Sequence, residues 1–272
     1  MYDFVNAALQ NLNELLTAGI AITAFSLLLY ALSFNLRDQV SRSFAIIMVC
    51  IVIVFVSEAI SSFTESLAQV SFWLRIQWLG LIFLPPAYLH LSDGILSTTG
   101  RPSRGRRRRW VRIIYLIALA FLVTLPFSLL TGPLQDNAEP VPHLQPTWVT
   151  GVFAVFYISI IAIAWVNLWR ALNRTKARAS HRRMIYLLVS SLAPAIGSFP
   201  FLLFGSDFAA DHPLLFWITV NLINLLVTAG LVLMAYSVAY FGVPWPDRVV
   251  KRRLVKWLLR GPFAAGTTLA LT

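Results

Sequence analysis

Apolar residues along this chain come in long unbroken stretches rather than in alternation. Seven stretches reach the roughly 20 mostly apolar residues that a membrane helix needs: residues 15–34, 44–60, 76–96, 111–130, 149–169, 184–204 and 214–241. Runs such as FAIIMVCIVIVFV (44–56) and FYISIIAIAWV (156–166) are apolar on every side, where a surface helix shows one polar face. In lipid, backbone polar groups must be satisfied within the segment, and the two-residue period of a membrane barrel is absent. The pattern predicts an all-α membrane protein, a seven-transmembrane helix bundle. An odd number of spans argues against the two equal inverted halves common in secondary transporters.

The residues between the stretches set the orientation. Segments near 35–43, 97–112 and 170–183, with the tail after 241, hold 21 of the 22 basic residues, and only Arg75 lies on the other side. The segments at 131–148 and 205–213 carry acids and histidines but no Lys or Arg. By the positive-inside rule the N-terminus is outside and the C-terminus cytoplasmic, in a multi-pass protein of the inner (plasma) membrane. Trp110, Trp148 and Trp217 fall near the expected interfaces, where indole rings favour the headgroup layer. The first 36 residues contain no Lys or Arg, so the first span is expected to be retained rather than cleaved as a signal peptide.

Composition agrees. The chain is 58% hydrophobic and only 12% charged, against about 25% charged in soluble domains, which excludes an ordinary globular enzyme and a disordered chain. The net charge of +11 raises nucleic acid as a partner, yet RPSRGRRRRWVR (101–112) lies between two spans. There it serves as a topology determinant and a contact for anionic lipid headgroups at the cytoplasmic face, and no nucleic-acid partner is expected. Cys50 is the single cysteine, so an intrachain disulfide is excluded. Lys176, Lys251 and Lys256 all lie in basic cytoplasmic segments, which leaves no lysine in a span for a retinal Schiff base. No His-Glu-x-x-His, Walker or Rossmann pattern occurs. No catalytic residues, metal site or cofactor are expected.

The bundle is expected to occupy 1–245. Pro244 and Pro246 end the last span, Asp247 caps a new helix, and Val250, Leu254, Trp257 and Leu258 recur at helical spacing among basic residues. This predicts a basic amphipathic juxtamembrane helix over 246–262. The apolar tail 263–272 is too short to span and reads as the start of a truncated eighth span or as a natural end.

Ionisable residues inside spans are the first candidates for function. Glu58 lies near the outer end of the second span and Arg75 opens the third, so the two side chains are expected at one depth. The structural reading is a salt bridge fixing the helix pair. The functional reading is the charged floor of an outward-facing pocket, with Trp73, Gln77 and Trp78 as its wall and Glu65 competing for Arg75. In the seventh span Asn221, Asn224 and Thr228 share a stripe, which reads first as interhelical hydrogen bonding and second as ligand contact. Glu58, Arg75, Gln77, Trp78, Asn221 and Asn224 are therefore the ligand-binding candidates. Pro85 and Pro86 should kink the third span. His90 and Asp93, three apart, can pair with each other or with the arginine-rich loop. The sixth span carries Ser190, Ser191, Pro194, Gly197, Ser198 and Pro200, which suit close packing and bending.

Three segments carry a resemblance: SFNLRDQVSRSFA (33–45), WLRIQWLGLIFLPPAYLHLSD (73–93) and FGVPWPDRVVKRRLVKWLLRG (241–261). Their order and spacing resemble the N-terminal seven-transmembrane sensor region of bacterial histidine kinases, over about residues 12–261. The resemblance implies a non-enzymatic sensory input module of a two-component system. Its partner would be a cytoplasmic kinase or other output domain, fused or separate, with a second copy of the chain a further candidate partner. This chain departs from whole kinases in lacking a catalytic domain, a phosphoacceptor region and an ATP-binding glycine box. The resemblance supplies no ligand-binding residues. The alternative reading is a transporter or channel component, which would need a polar path through the spans; Asn221, Asn224 and Thr228 offer a sparse one.

Overall fold

The computed structural model describes residues 2–33, 38–99, 105–135, 140–242, 252 and 254–261. The expected contacts of Arg101, Arg104, Asp136, Glu139, Pro244, Pro246, Asp247 and Val250, and the tail 263–272, lie outside them. In chain order the elements are α1 (Tyr2–Leu32), α2 (Gln39–Ser62), α3 (Leu67–Thr98), α4 (Gly105–Thr124), β1 (Thr131–Gln135), β2 (His143–Pro146), α5 (Trp148–Leu172), α6 (Arg178–Ser190), α7 (Leu192–Gly197), α8 (Leu202–Asp211) and α9 (Pro213–Gly242).

Local chemistry sets several boundaries. Asp38, in extended backbone, accepts a hydrogen bond from the Ser41 amide at 2.9 Å and caps α2, satisfying a donor that the first turn leaves free. Thr147 and Thr150 cap α5 reciprocally. Helix α1 begins at Tyr2, well before the expected start at 15. Its 31 residues make a rod of about 46 Å, longer than the roughly 30 Å hydrocarbon core. Helix α3 runs unbroken through Pro85 and Pro86; both prolines and their neighbours Leu84, Ala87 and Tyr88 are buried, so packing on all sides holds the rod together where two backbone donors are missing.

Two expected spans are shorter or bent. Helix α4 stops at Thr124 rather than 130, because Pro126 has no amide hydrogen and disfavours helix at the residue before it. The sixth stretch breaks: the helical segments 180–197 and 202–211 meet at 74°. Pro200 lies in the break, and Gly205 has φ −130° and ψ 23° inside α8. Five helices, α1, α2, α3, α5 and α9, are long and apolar enough to cross a membrane, and the bent pair makes six if counted as one span. Helix α4 carries five arginines in its 20 residues, which leaves an apolar stretch only from 113 to 124.

Contacts give the helix directions. Gly94 lies against Val40 and Gly80 against Cys50 and Val54, so α2 and α3 run antiparallel. Asn221 meets Leu9 and Asn224 meets Asn13, so α1 and α9 run parallel. Trp78 meets Phe153 and Asn167 meets Ser92, so α3 and α5 run parallel too. Gly80, Gly197 and Gly230 sit where the facing helix leaves no room for a Cβ, the close approach that small residues permit. One face of α5 and α9 leaves large apolar side chains exposed, including Val155, Ile158, Leu222 and Leu226, a surface that suits lipid rather than water. The molecule is thus an all-α membrane protein with one small addition. That addition is an antiparallel β1–β2 hairpin pairing Leu134 with Leu144 and Gln135 with His143, inside the segment expected to be a plain loop.

Beyond α9, residues 254–261 are helical. Leu254 is buried in the bundle core, with Trp257 and Leu258 packed against it. Gly261 sits so close to Ser26 of α1 that a Cβ there would overlap it. The apolar face expected from the sequence is present among these residues, and it packs on the bundle.

Candidate functional site

At one end of the bundle, opposite the arginine-rich segments, a cavity of about 400 Å³ opens between α1, α2, α3, α9, the hairpin and the α7–α8 break. Glu58 approaches from the last turns of α2 and Gln77 from α3, and Gln77 Nε2 donates to Glu58 Oε2 at 3.3 Å. Trp78 follows on α3, 2% exposed, with one side on the cavity and its ring edge-on to Phe153 at 5.3 Å. Asn224 of α9 lines the cavity and donates through Nδ2 to Asn13 Oδ1 at 2.9 Å. The β2 strand brings His143 and Leu144 over the same space, and the break after α7 brings Ser198 and Phe199.

Four of the six residues expected from the sequence therefore share one cavity: Glu58, Gln77, Trp78 and Asn224. The other two do not line it. Arg75 does not pair with Glu58; its Nη1 donates to Ser128 Oγ at 3.1 Å. Residues 75 and 77 lie about 200° apart around a helix, so once Gln77 faces α2, Arg75 must face away. The expected Glu58–Arg75 bridge is replaced by the Glu58–Gln77 bond, and of that expected charged pair only Glu58 lines the cavity. Asn221 instead donates to the Leu9 carbonyl at 2.9 Å, an interhelical bond. Trp73, expected in the wall, is not among the lining residues and sets its ring edge-on to Phe72.

Several lining residues escaped the sequence reading. Gln10, Asn13 and Glu14 belong to the part of α1 that precedes the apolar stretch. Their signal was present: Asn6, Gln10, Asn13 and Thr17 recur at helical spacing, and Asn13 and Thr17 of this set meet Asn224 of α9. Ser198 is 3% exposed and its hydroxyl has no hydrogen-bond partner among the described residues. Nothing in the sequence placed His143, because the hairpin that carries it was not expected.

At the arginine-rich end, Asp93 Oδ1 lies 3.4 Å from Arg107 Nε, the contact with the arginine-rich segment that its position suggested. His90 sets its ring at right angles to Tyr115, 6.1 Å between centroids. A second cavity, of about 360 Å³, lies between the ends of α3, α5 and α6 and is lined by Thr98, Thr99, Arg174, Thr175, Ser180 and Arg183 among others. Among the described residues, no group of three or more His, Cys, Asp or Glu side chains is placed to hold a metal ion.

No curated protein sequence matches the chain. The family model described as the N-terminal 7TM region of histidine kinase matches residues 16–222, well over half of the sequence and every element from α2 to α8. With helices long enough to span and a cavity at the end remote from the arginines, that match settles the kinship: the chain belongs to the family of N-terminal seven-transmembrane regions of histidine kinases.

Proposed function

We propose that this chain is a sensory input module of a two-component system, which takes a small ligand in the cavity beside Glu58, Gln77 and Trp78. It passes the resulting change to a cytoplasmic histidine kinase domain, on the same polypeptide or a separate one. The single observation that carries the proposal is the position of this cavity in a chain of this family. It touches α1, α2, α3 and α9 together, at the end where basic residues are almost absent.

Seven passes across the inner membrane, with the N-terminus outside, are the reading supported by the 21-to-1 partition of basic residues, by the antiparallel run of α2 and α3, and by the parallel runs of α1 with α9 and of α3 with α5. Helix α4 completes the count, its arginines in the cytoplasmic headgroup layer. We take the sensor unit to end near 245 and 246–262 to be the exit segment, of which 254–261 are described as helix. Arg174 and Arg183, beside the second cavity, suit contact with anionic headgroups.

Helix α1 supplies a physical route for the signal. It lines the cavity through Asn13 and Glu14 and meets the exit helix at Ser26. A ligand shifts the balance of two helix arrangements only by its differential affinity for them; tenfold preference corresponds to about 1.4 kcal/mol. The transporter reading loses ground because Asn221, Asn224 and Thr228 are engaged in helix bonds.

The test is residues 1–262 fused to a kinase reporter. Ser61 lines the cavity, and Ser61→Trp should fill it and change basal output at unchanged membrane abundance. Arg75→Gln, outside the cavity, should leave output as it was. Unaltered output from the filled cavity would refute the proposal.

A further inference from the structure

The cavity is acidic in a basic protein. The chain has 22 basic and 11 acidic residues, yet among the described residues the cavity is lined by three acids, Glu14, Glu58 and Glu65, and by no lysine or arginine. Arg75, the basic residue nearest in sequence to the wall, is turned to Ser128. A negative site of this kind disfavours an anionic ligand by like-charge repulsion and attracts a cation.

Two more observations narrow the cation. A metal ion needs several oxygens converging at short range, and no three acidic, His or Cys side chains do so among the described residues. The wall is instead mixed: Trp78 and Trp217, 2% and 3% exposed, with Phe199, Phe201 and Phe216, present apolar and aromatic surface. Aromatic faces attract organic cations, and a cavity of about 400 Å³ falls in the range of small-molecule sites. The polar atoms ask for a donor. Glu58 Oε2 has Gln77 at 3.3 Å, which leaves carboxylate lone pairs to fill. Ser198, 3% exposed, lines the cavity with a hydroxyl that no group among the described residues satisfies. A carboxylate in such surroundings gains most from a paired, hydrogen-bonding positive charge.

We propose that the cavity binds a protonated organic amine: an ammonium group with N–H donors placed at Glu58 and Ser198, on an apolar or aromatic body held against Trp78 and Phe216. This assignment rests on the ligand-pocket reading above and adds the chemical class of the ligand. Glu65, exposed at the cavity, and Glu14, which also lines it, draw the cation in, and the N–H donors distinguish it from a quaternary ammonium, which has none to give.

The experiment uses the full chain in lipid nanodiscs and four probes of similar size: phenethylamine, benzyltrimethylammonium, 2-phenylethanol and phenylacetate. Binding is followed by calorimetry. Phenethylamine should bind saturably, at least tenfold tighter than 2-phenylethanol (about 1.4 kcal/mol), and tighter than the quaternary probe, with phenylacetate weakest. Glu58→Gln should weaken phenethylamine at least tenfold and leave 2-phenylethanol unchanged. Glu14→Gln, on the half-exposed part of α1, serves as the second variant and should weaken phenethylamine at least threefold even if Glu58→Gln does not fold. If 2-phenylethanol or phenylacetate binds as tightly as the amine, or if a folded Glu58→Gln keeps the amine affinity, the amine assignment is overturned while the pocket stands. If none of the four probes binds saturably, the pocket reading itself fails and the assignment with it.

Discussion

Replacing Asn13 by alanine should destabilise the bundle more than replacing Asn224, although the two residues share one hydrogen bond. The bond runs from Asn224 Nδ2 to Asn13 Oδ1 at 2.9 Å. A second contact, from the same nitrogen to Thr17 Oγ1, is 3.5 Å long, at the edge of hydrogen-bond range. Both line the cavity, but Asn224 is only 4% exposed, whereas Asn13 is half-buried. Asn13→Ala therefore leaves a buried amide with one poor acceptor, a loss of about 1–3 kcal/mol. Asn224→Ala leaves an oxygen that can turn to cavity water, so its cost should stay near the average of about 0.6 kcal/mol for such bonds in membrane bundles. The double-mutant cycle should return a coupling of about 0.6 kcal/mol, with a ceiling near 1.7. Reversible unfolding in bicelles measures all four corners. A coupling indistinguishable from zero, or a larger cost for Asn224→Ala, would show that the α1–α9 contact is not built this way.

Three further outcomes follow from the packing. Gly80→Val should destabilise by about 1–3 kcal/mol, since a side chain there meets the Cys50 carbonyl and Val54. Gly19→Ala, with nothing within 4 Å, should be neutral or gain up to about 1 kcal/mol of helix propensity; equal effects at both sites in the same unfolding assay would contradict the α2–α3 approach. Arg107→Ala should lower thermal stability in nanodiscs more than Arg109→Ala, because Arg107 reaches Asp93 and Arg109 is exposed. Gly261→Leu should push the exit helix off Ser26 and change basal output of the kinase fusion without reducing membrane insertion; unchanged output would detach that contact from signalling.

The helices were legible because apolar runs in lipid have few alternatives, but their ends were less so. Tyr2–Asn13 is helical although hydropathy does not mark it, and the amides of Asn221 and Asn224 on α9 bond it at the Leu9 carbonyl and at Asn13. The break after α7 was visible as Pro194, Gly197 and Pro200, yet whether such residues bend a helix or pack it statically depends on neighbours such as Val227, which fills the space at Gly197. Within the site, spacing along the chain says nothing of which side of α3 each residue takes. Arg75 and Gln77 sit at similar depth on α3, but only Gln77 faces Glu58. The hairpin has little apolar alternation in TGPLQ, with Gly132 and Pro133 inside β1, so its strands came from pairing across the turn rather than from local preference.

The central claim is that the acidic cavity opens to the outside while the arginine-rich end faces the cytoplasm. Glu65 lies exposed at the cavity, and Lys176 is exposed at the opposite end. The native Cys50 is buried, so single cysteines can be introduced at these positions with little background. In intact cells a membrane-impermeant maleimide should label Glu65→Cys and leave Lys176→Cys unmodified until the membrane is opened. Labelling of Lys176→Cys in intact cells, with Glu65→Cys protected, would contradict the account.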